Sequence, residues 1–136
     1  MTSDPRVPDS ELTFDAELIF THRGVPFTGV GFEDVPGRGL SEVSYRSGLQ
    51  DGAAQDWYPS GRLKGESHYR ENVLHGEERE FDEDGNLLVE SRYEYGILTN
   101  RTRLDASGNV IEQIAIDTDS PNFALLERYR REKNWG

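Results

Sequence analysis

Apolar and polar residues alternate in short runs along most of this chain, and turn-forming residues break the runs every 11 to 13 positions. The breaks are Ser47-Gly48, Ser60-Gly61, Asn72, Asp84-Gly85, Tyr95-Gly96 and Ser107-Gly108. Alternation of period two predicts strands, and this spacing predicts an antiparallel meander of hairpins. In the second strand of each hairpin one side reads Leu63, Gly65, Ser67, Tyr69, then Leu87, Val89, Ser91, Tyr93, then Val110, Glu112, Ile114, Ile116. The other side reads Lys64, Glu66, His68, then Leu88, Glu90, Arg92, then Ile111, Gln113, Ala115. The first predicts a packed face and the second a wet one.

The two ends read differently from the middle. Leu12, Phe14, Ala16, Leu18 and Phe20 alternate, which predicts one strand over 12–20 guarding an edge of the sheet. Asp119-Ser120-Pro121 is a helix start, with a capping side chain and Pro in the first turn. Phe123, Leu125, Leu126 and Tyr129 follow at helical spacing and predict a capping helix over roughly 121–133. Burial of Phe123, Leu125 and Leu126 would contribute roughly 1.5–3 kcal/mol each. Residues 1–11 read as a flexible lead-in, 12–118 as the hairpin domain and 119–136 as the capping segment.

The hairpins repeat. Tyr45, Tyr69 and Tyr93 are 24 apart, as are Gly52, Gly76 and Asn100. Gly61, Gly85 and Gly108, and Leu63, Leu87 and Val110, step by 24 and 23. Tyr58, Phe81 and Leu104 form a further column at 23 and 23. A degenerate copy precedes them around Phe20–Gly24 and Gly29. Such a period means stacked supersecondary units, with long faces suited to binding a macromolecule. In the Gly52 and Gly76 column, Asn100 is expected to supply a positive φ. Trp57 falls in the slot of Glu80 and Arg103, and Tyr95 in the turn slot of Ser47 and Glu71. Positions that vary between copies are free of the packing constraint, so Trp57 and Tyr95 are candidate partner contacts.

Charge sharpens the picture. The 136 residues carry 26 acids against 15 bases, a net charge of −11. From Glu66 to Glu94 ten acids face only Arg70, Arg79 and Arg92. Glu78, Glu80, Asp82 and Glu83 are the candidate contacts within this belt, and alternation puts Glu78 and Glu80 on one face. A surface of this sign repels nucleic acid and anionic membranes and steers basic partners towards it. The chain has no Cys. Asp82-Glu-Asp84-Gly85-Asn86 resembles half of a calcium loop, but an Asp-Gly hairpin turn explains the same letters. No nucleophile elbow and no phosphate-binding loop is present, so neither enzyme activity nor a metal or cofactor is expected. The polar N-terminus lacks an apolar signal core, and the expected location is the cytoplasm.

The repeat resembles the MORN-repeat family, and more closely its bacterial variant. The unit stands as Tyr45-Arg-Ser-Gly48-Leu-Gln-Asp-Gly52, then Trp57-Tyr58-Pro-Ser-Gly61-Arg-Leu63-Lys-Gly-Glu66. It returns from Tyr69 through Gly76, Phe81, Gly85 and Leu87 to Glu90. The resemblance implies a single elongated antiparallel sheet, a mainly β fold. It also implies an antitoxin- or immunity-like protein that occludes a basic toxin, such as a nuclease, or else a scaffold with no toxin partner. The expected state is a monomer or a weak dimer through an edge strand.

Overall fold

The computed structural model describes residues 4–135. Among the described residues thirteen strands and one α-helix follow in order, with a short 3-10 turn at Asp9–Glu11: β1 Arg6–Pro8, β2 Leu12–Phe14, β3 Phe20–His22, β4 Val25–Pro26, β5 Gly29–Val35, β6 Gly39–Arg46, β7 Leu49–Trp57, β8 Leu63–Arg70, β9 Val73–Leu74, β10 Gly76–Phe81, β11 Leu87–Glu94, β12 Ile97–Leu104, β13 Val110–Ala115 and α1 Pro121–Lys133. Ten strands form one sheet in the order β1-β5-β6-β7-β8-β10-β11-β12-β13, with β9 also paired to β8. From β5 onward it is the expected meander, each strand antiparallel to the next.

The N-terminal end departs from expectation. Arg6–Pro8 is the sheet's outermost strand, parallel to β5, where a flexible lead-in was expected; residues 1–3 of that lead-in lie outside the described residues. Val30 donates its N–H to the Pro5 carbonyl, and the Arg6 guanidinium lies over the Phe32 ring and bonds to Glu42. Leu12–Phe20 is not one strand either. The Asp15 carboxylate accepts the N–H groups of Glu17 and Ile19, and Leu18 takes φ 60, so the chain turns back. β2, β3 and β4 pair as a separate three-stranded sheet. A small second sheet thus accompanies the expected meander. The small sheet packs by Phe20 against Tyr45, and Phe27 meets the same Tyr.

Local chemistry builds each repeat. Arg23-Gly24, Ser47-Gly48, Glu71-Asn72 and Tyr95-Gly96 take positive φ at both positions, as tight hairpin turns require. At the other end of each hairpin an extra residue bulges out of the second strand: Lys64, Leu88 and Ile111. Trp57, Phe81 and Leu104 pair with Leu63, Leu87 and Val110 across these bulges. Tyr58, Asp82 and Asp105 then donate their N–H groups to the carbonyls of Arg62, Asn86 and Asn109. So Trp57, not Tyr58, shares the column of Phe81 and Leu104, at the same steps of 24 and 23 as the other columns. Trp57 is a repeat aromatic and not a variable position.

The bulges also divide the expected packed face. Paired residues share a face, and opposite these bulges β7, β10 and β12 alternate without interruption. The bulge therefore moves Leu63, Leu87 and Val110 away from the side of Gly65, Val89 and Glu112. Near the turns, β7 runs two residues longer than β6 around Gly52, and β9–β10 does so against β8 around Gly76. Both glycines take positive φ. β12 carries one extra residue only, between Leu98 and Asn100, and Asn100 does not take positive φ. The third repeat is a residue shorter here, so the expected left-handed Asn has nothing to span.

The helix runs over the expected residues. Ser120 Oγ accepts the Phe123 N–H at 3.2 Å, Pro121 opens the first turn, and Asn134 closes the helix at φ 49. Leu126 is 0 % exposed, Phe123 is half-buried and Leu125 points outward, so one of the three expected anchors is fully buried. The helix does not cover the last strand. Every residue of β13 is exposed.

Candidate functional site

Register across the sheet sorts the charged side chains onto two faces. One row on the first face reads Glu33, Ser41, Asp56, Gly65, Glu80, Val89, Arg103, each opposite the next. Glu78 lies two residues from Glu80 on this face, opposite Ser91, and accepts a hydrogen bond from Ser67 Oγ at 3.2 Å. Neighbouring strands lie about 4.8 Å apart, so Glu33, Asp56 and Glu80 are spaced by about 10 Å along the row. Ser41 Oγ donates to Asp56 at 2.6 Å. Among the described residues, none of Glu33, Asp56, Glu78 or Glu80 is in an ion pair.

The opposite face carries acids of a different kind. Its row reads Phe32, Glu42, Gln55, Glu66, Arg79, Glu90, Thr102. Glu42 pairs with Arg6 at 2.9 Å. Arg79 meets Glu66 at 3.6 Å and Glu90 at 3.4 Å and hydrogen-bonds to Glu77. The Glu77 carboxylate, with Glu66 and Glu90 behind it, pushes the Arg79 pKa up. His68 donates Nδ1–H to the Glu77 carbonyl on this side. The acids here are ion-paired, three of them sharing the one Arg79 guanidinium. Those four of the first face are not, although Arg101 and Arg103 stand on that face and Arg38 and Lys64 line its cavity.

The expected contact residues are thus sorted. Glu78 and Glu80 share the first face, as alternation required. Trp57 is half-buried and lines a shallow cavity of about 230 Å³ with Glu33, Arg38, Ser41, Asp56 and Lys64. Glu83 is exposed in the loop 82–86. Asp82 organises that loop: its carboxylate accepts the N–H groups of Asp84 and Asn86 at 3.0 and 2.9 Å and the Asn86 amide at 3.1 Å. These bonds, that from Asn86 foremost, lower its pKa. Tyr95 is 8 % exposed and is drawn inward, with ring centroids 5.0 Å from Trp135 and 5.7 Å from Tyr129. It anchors the C-terminal segment.

Glu33 and Asp56 were not anticipated, although the repeat step carries Asp56 onto Glu80 (24 residues) and Glu33 onto Asp56 (23). A model of the MORN repeat variant matches residues 50–71 and 74–95. Those two segments are MORN-variant repeats. The two matched segments start 24 residues apart, and each runs from the strand after a hairpin turn to the next turn, over a bulge. MORN repeats are non-catalytic modules for interaction with proteins or membranes. No curated protein matches the chain. Among the described residues, no helix is long and apolar enough to cross a membrane, and no group of three or more His, Asp or Glu could hold a metal ion.

Proposed function

We propose that this chain is a non-catalytic protein-binding module of the antitoxin or immunity type. It acts in the cytoplasm and neutralises a basic cognate toxin, such as a nuclease, by lying across its active site. The observation that carries the reading is the row Glu33, Asp56 and Glu80, with Glu78 beside it, which among the described residues are in no ion pair and lie on one face of a long sheet. Opposite-face acids are already ion-paired with Arg6 and Arg79. A basic groove laid on the first face would meet carboxylates at regular spacing, and their field would speed encounter. Backbone of the sheet holds them in place before binding, which lowers the ordering cost.

The partner should be encoded beside this chain. Binding of that neighbouring protein to wild type and to the Asp56→Lys/Glu78→Lys/Glu80→Lys variant tests the reading. Association should slow at least tenfold in the variant and lose most of its salt dependence. Glu66→Lys on the opposite face should change it much less. Unchanged association in the triple variant would remove the acidic face as the contact surface.

A further inference from the structure

The two edges of the large sheet are built differently. β1 is three residues long, runs parallel, carries Arg6 and ends in Pro8, which has no N–H. Shortness, charge and Pro are the devices that blunt an edge against pairing. β13 has six residues and contains neither a basic residue nor Pro. Its Val110, Ile111 and Ile114 are 54 %, 65 % and 45 % exposed. Ile116 donates its N–H to the Thr99 carbonyl, so the inward hydrogen bonds fall on 116, 114 and 112. The N–H and C=O groups of Gln113 and Ala115 therefore face outward along an open edge.

The geometry points to a second copy of this chain as the occupant: β13 pairs with β13 of that copy, antiparallel, about a two-fold axis at Gln113. In this register Gln113 stands opposite Gln113 and exchanges both backbone hydrogen bonds with it. Glu112 stands opposite Ile114 of the other copy, so no carboxylate meets another. The last hairpin is locally neutral, with Arg101 and Arg103 against Asp105 and Glu112. The body's net charge of −11 is therefore not concentrated at the contact. Because β1 is blunted, the pairing uses the same edge twice and closes at two copies. The two-fold keeps sheet faces in common, so both rows of Glu33, Asp56 and Glu80 end on the same side. Six-residue strands make an interface below standard size, and the dimer is weak and concentration-dependent.

Sedimentation of the full chain over roughly a hundredfold range of concentration, up to near-millimolar, reads this directly, since small interfaces fill only there. The expected result is a monomer–dimer equilibrium. Gln113→Pro, which removes an outward N–H, should weaken it at least tenfold while circular dichroism stays unchanged. Ile114→Glu sets a carboxylate against Glu112 of the other copy and should also weaken it at least tenfold. Ile114→Lys sets an ammonium there and should lose much less. A strict monomer at every concentration overturns the proposal, as does a dimer indifferent to Gln113→Pro and Ile114→Glu. Equal losses for Ile114→Glu and Ile114→Lys overturn the register.

Discussion

The Trp135 main-chain N–H donates to the phenol oxygen of Tyr95 at 2.9 Å, across 40 residues of sequence. Around that bond the Trp135 ring packs on Tyr95 and His75, the Arg70 guanidinium lies 4.9 Å from its centroid, and Arg70 also donates to the Trp135 carbonyl. The chain end is thus fastened to the hairpin turns, and α1 with it. Trp135→Ala should cost about 1–2 kcal/mol, less than for a fully buried Trp because this one is half-buried. Hydrogen exchange should rise in α1 well before it rises in β7 and β8, and equal protection in variant and wild type would show that the latch holds nothing.

A second tie joins helix and sheet at Arg130, which bonds both carboxylate oxygens of Glu94 at 2.9 and 2.6 Å. The Arg130 hydrogen bond holds the Glu94 pKa below its ordinary value. A carboxylate depressed in the native state stabilises it above the unfolded pKa and loses that contribution as pH falls through the native value. Glu94 is well covered but Arg130 is half-exposed, so the pair contributes up to about 1 kcal/mol. Denaturant titrations from pH 7 downward should show Arg130→Ala destabilised at pH 7 and the difference from wild type shrinking as pH falls through the depressed Glu94 value.

Much of this was legible in the sequence because the signals are local. Turn pairs such as Ser47-Gly48 and the Ser120-Pro121 helix start act within a few residues. What failed depended on partners far along the chain or on a single inserted residue. Trp57-Tyr58 offers two aromatics for one column, and only the bulge at Lys64 decides between them. The inward position of Tyr95 is set by Trp135. The strand expected over 12–20 was broken by two hydrogen bonds to Asp15, which alternation cannot register. The acidic row was readable in principle, since the repeat step that aligns the tyrosines also aligns Glu33, Asp56 and Glu80.

The loops 82–86 and 105–109 repeat one device. Asp105 accepts the N–H groups of Ser107 and Asn109 and the Asn109 amide, as Asp82 does in its own loop. Both carboxyls are held below the ordinary range, chiefly by the bond from the following Asn. Asp82→Ala and Asp105→Ala should each lower the melting temperature at neutral pH. The difference from wild type should shrink as pH falls through the depressed native values, where the wild-type carboxylates are protonated. Asp→Asn keeps an acceptor oxygen and should lose less, with no such pH dependence. A pH-independent loss in Asp105→Ala would show that the charge is irrelevant to the turn.

Glu71 offers the converse case, a place where the fold is strained. It sits at φ 48 in the turn Glu71-Asn72, where the other turns end in Gly. Asn72, at φ 70, is held by its side chain: Gln50 donates its N–H to Oδ1 at 2.7 Å, and Nδ2 donates to the Leu18 carbonyl at 3.0 Å. The two positions should therefore respond in opposite directions. Glu71→Asn relieves a left-handed Glu and should stabilise by roughly 0.5–1 kcal/mol. Asn72→Gly frees the backbone but removes both side-chain bonds and should destabilise by about 1 kcal/mol. Equilibrium unfolding of the two single variants separates the effects. A stabilised Asn72→Gly would mean that the amide's tie to the N-terminal segment contributes less than the freedom of one φ angle.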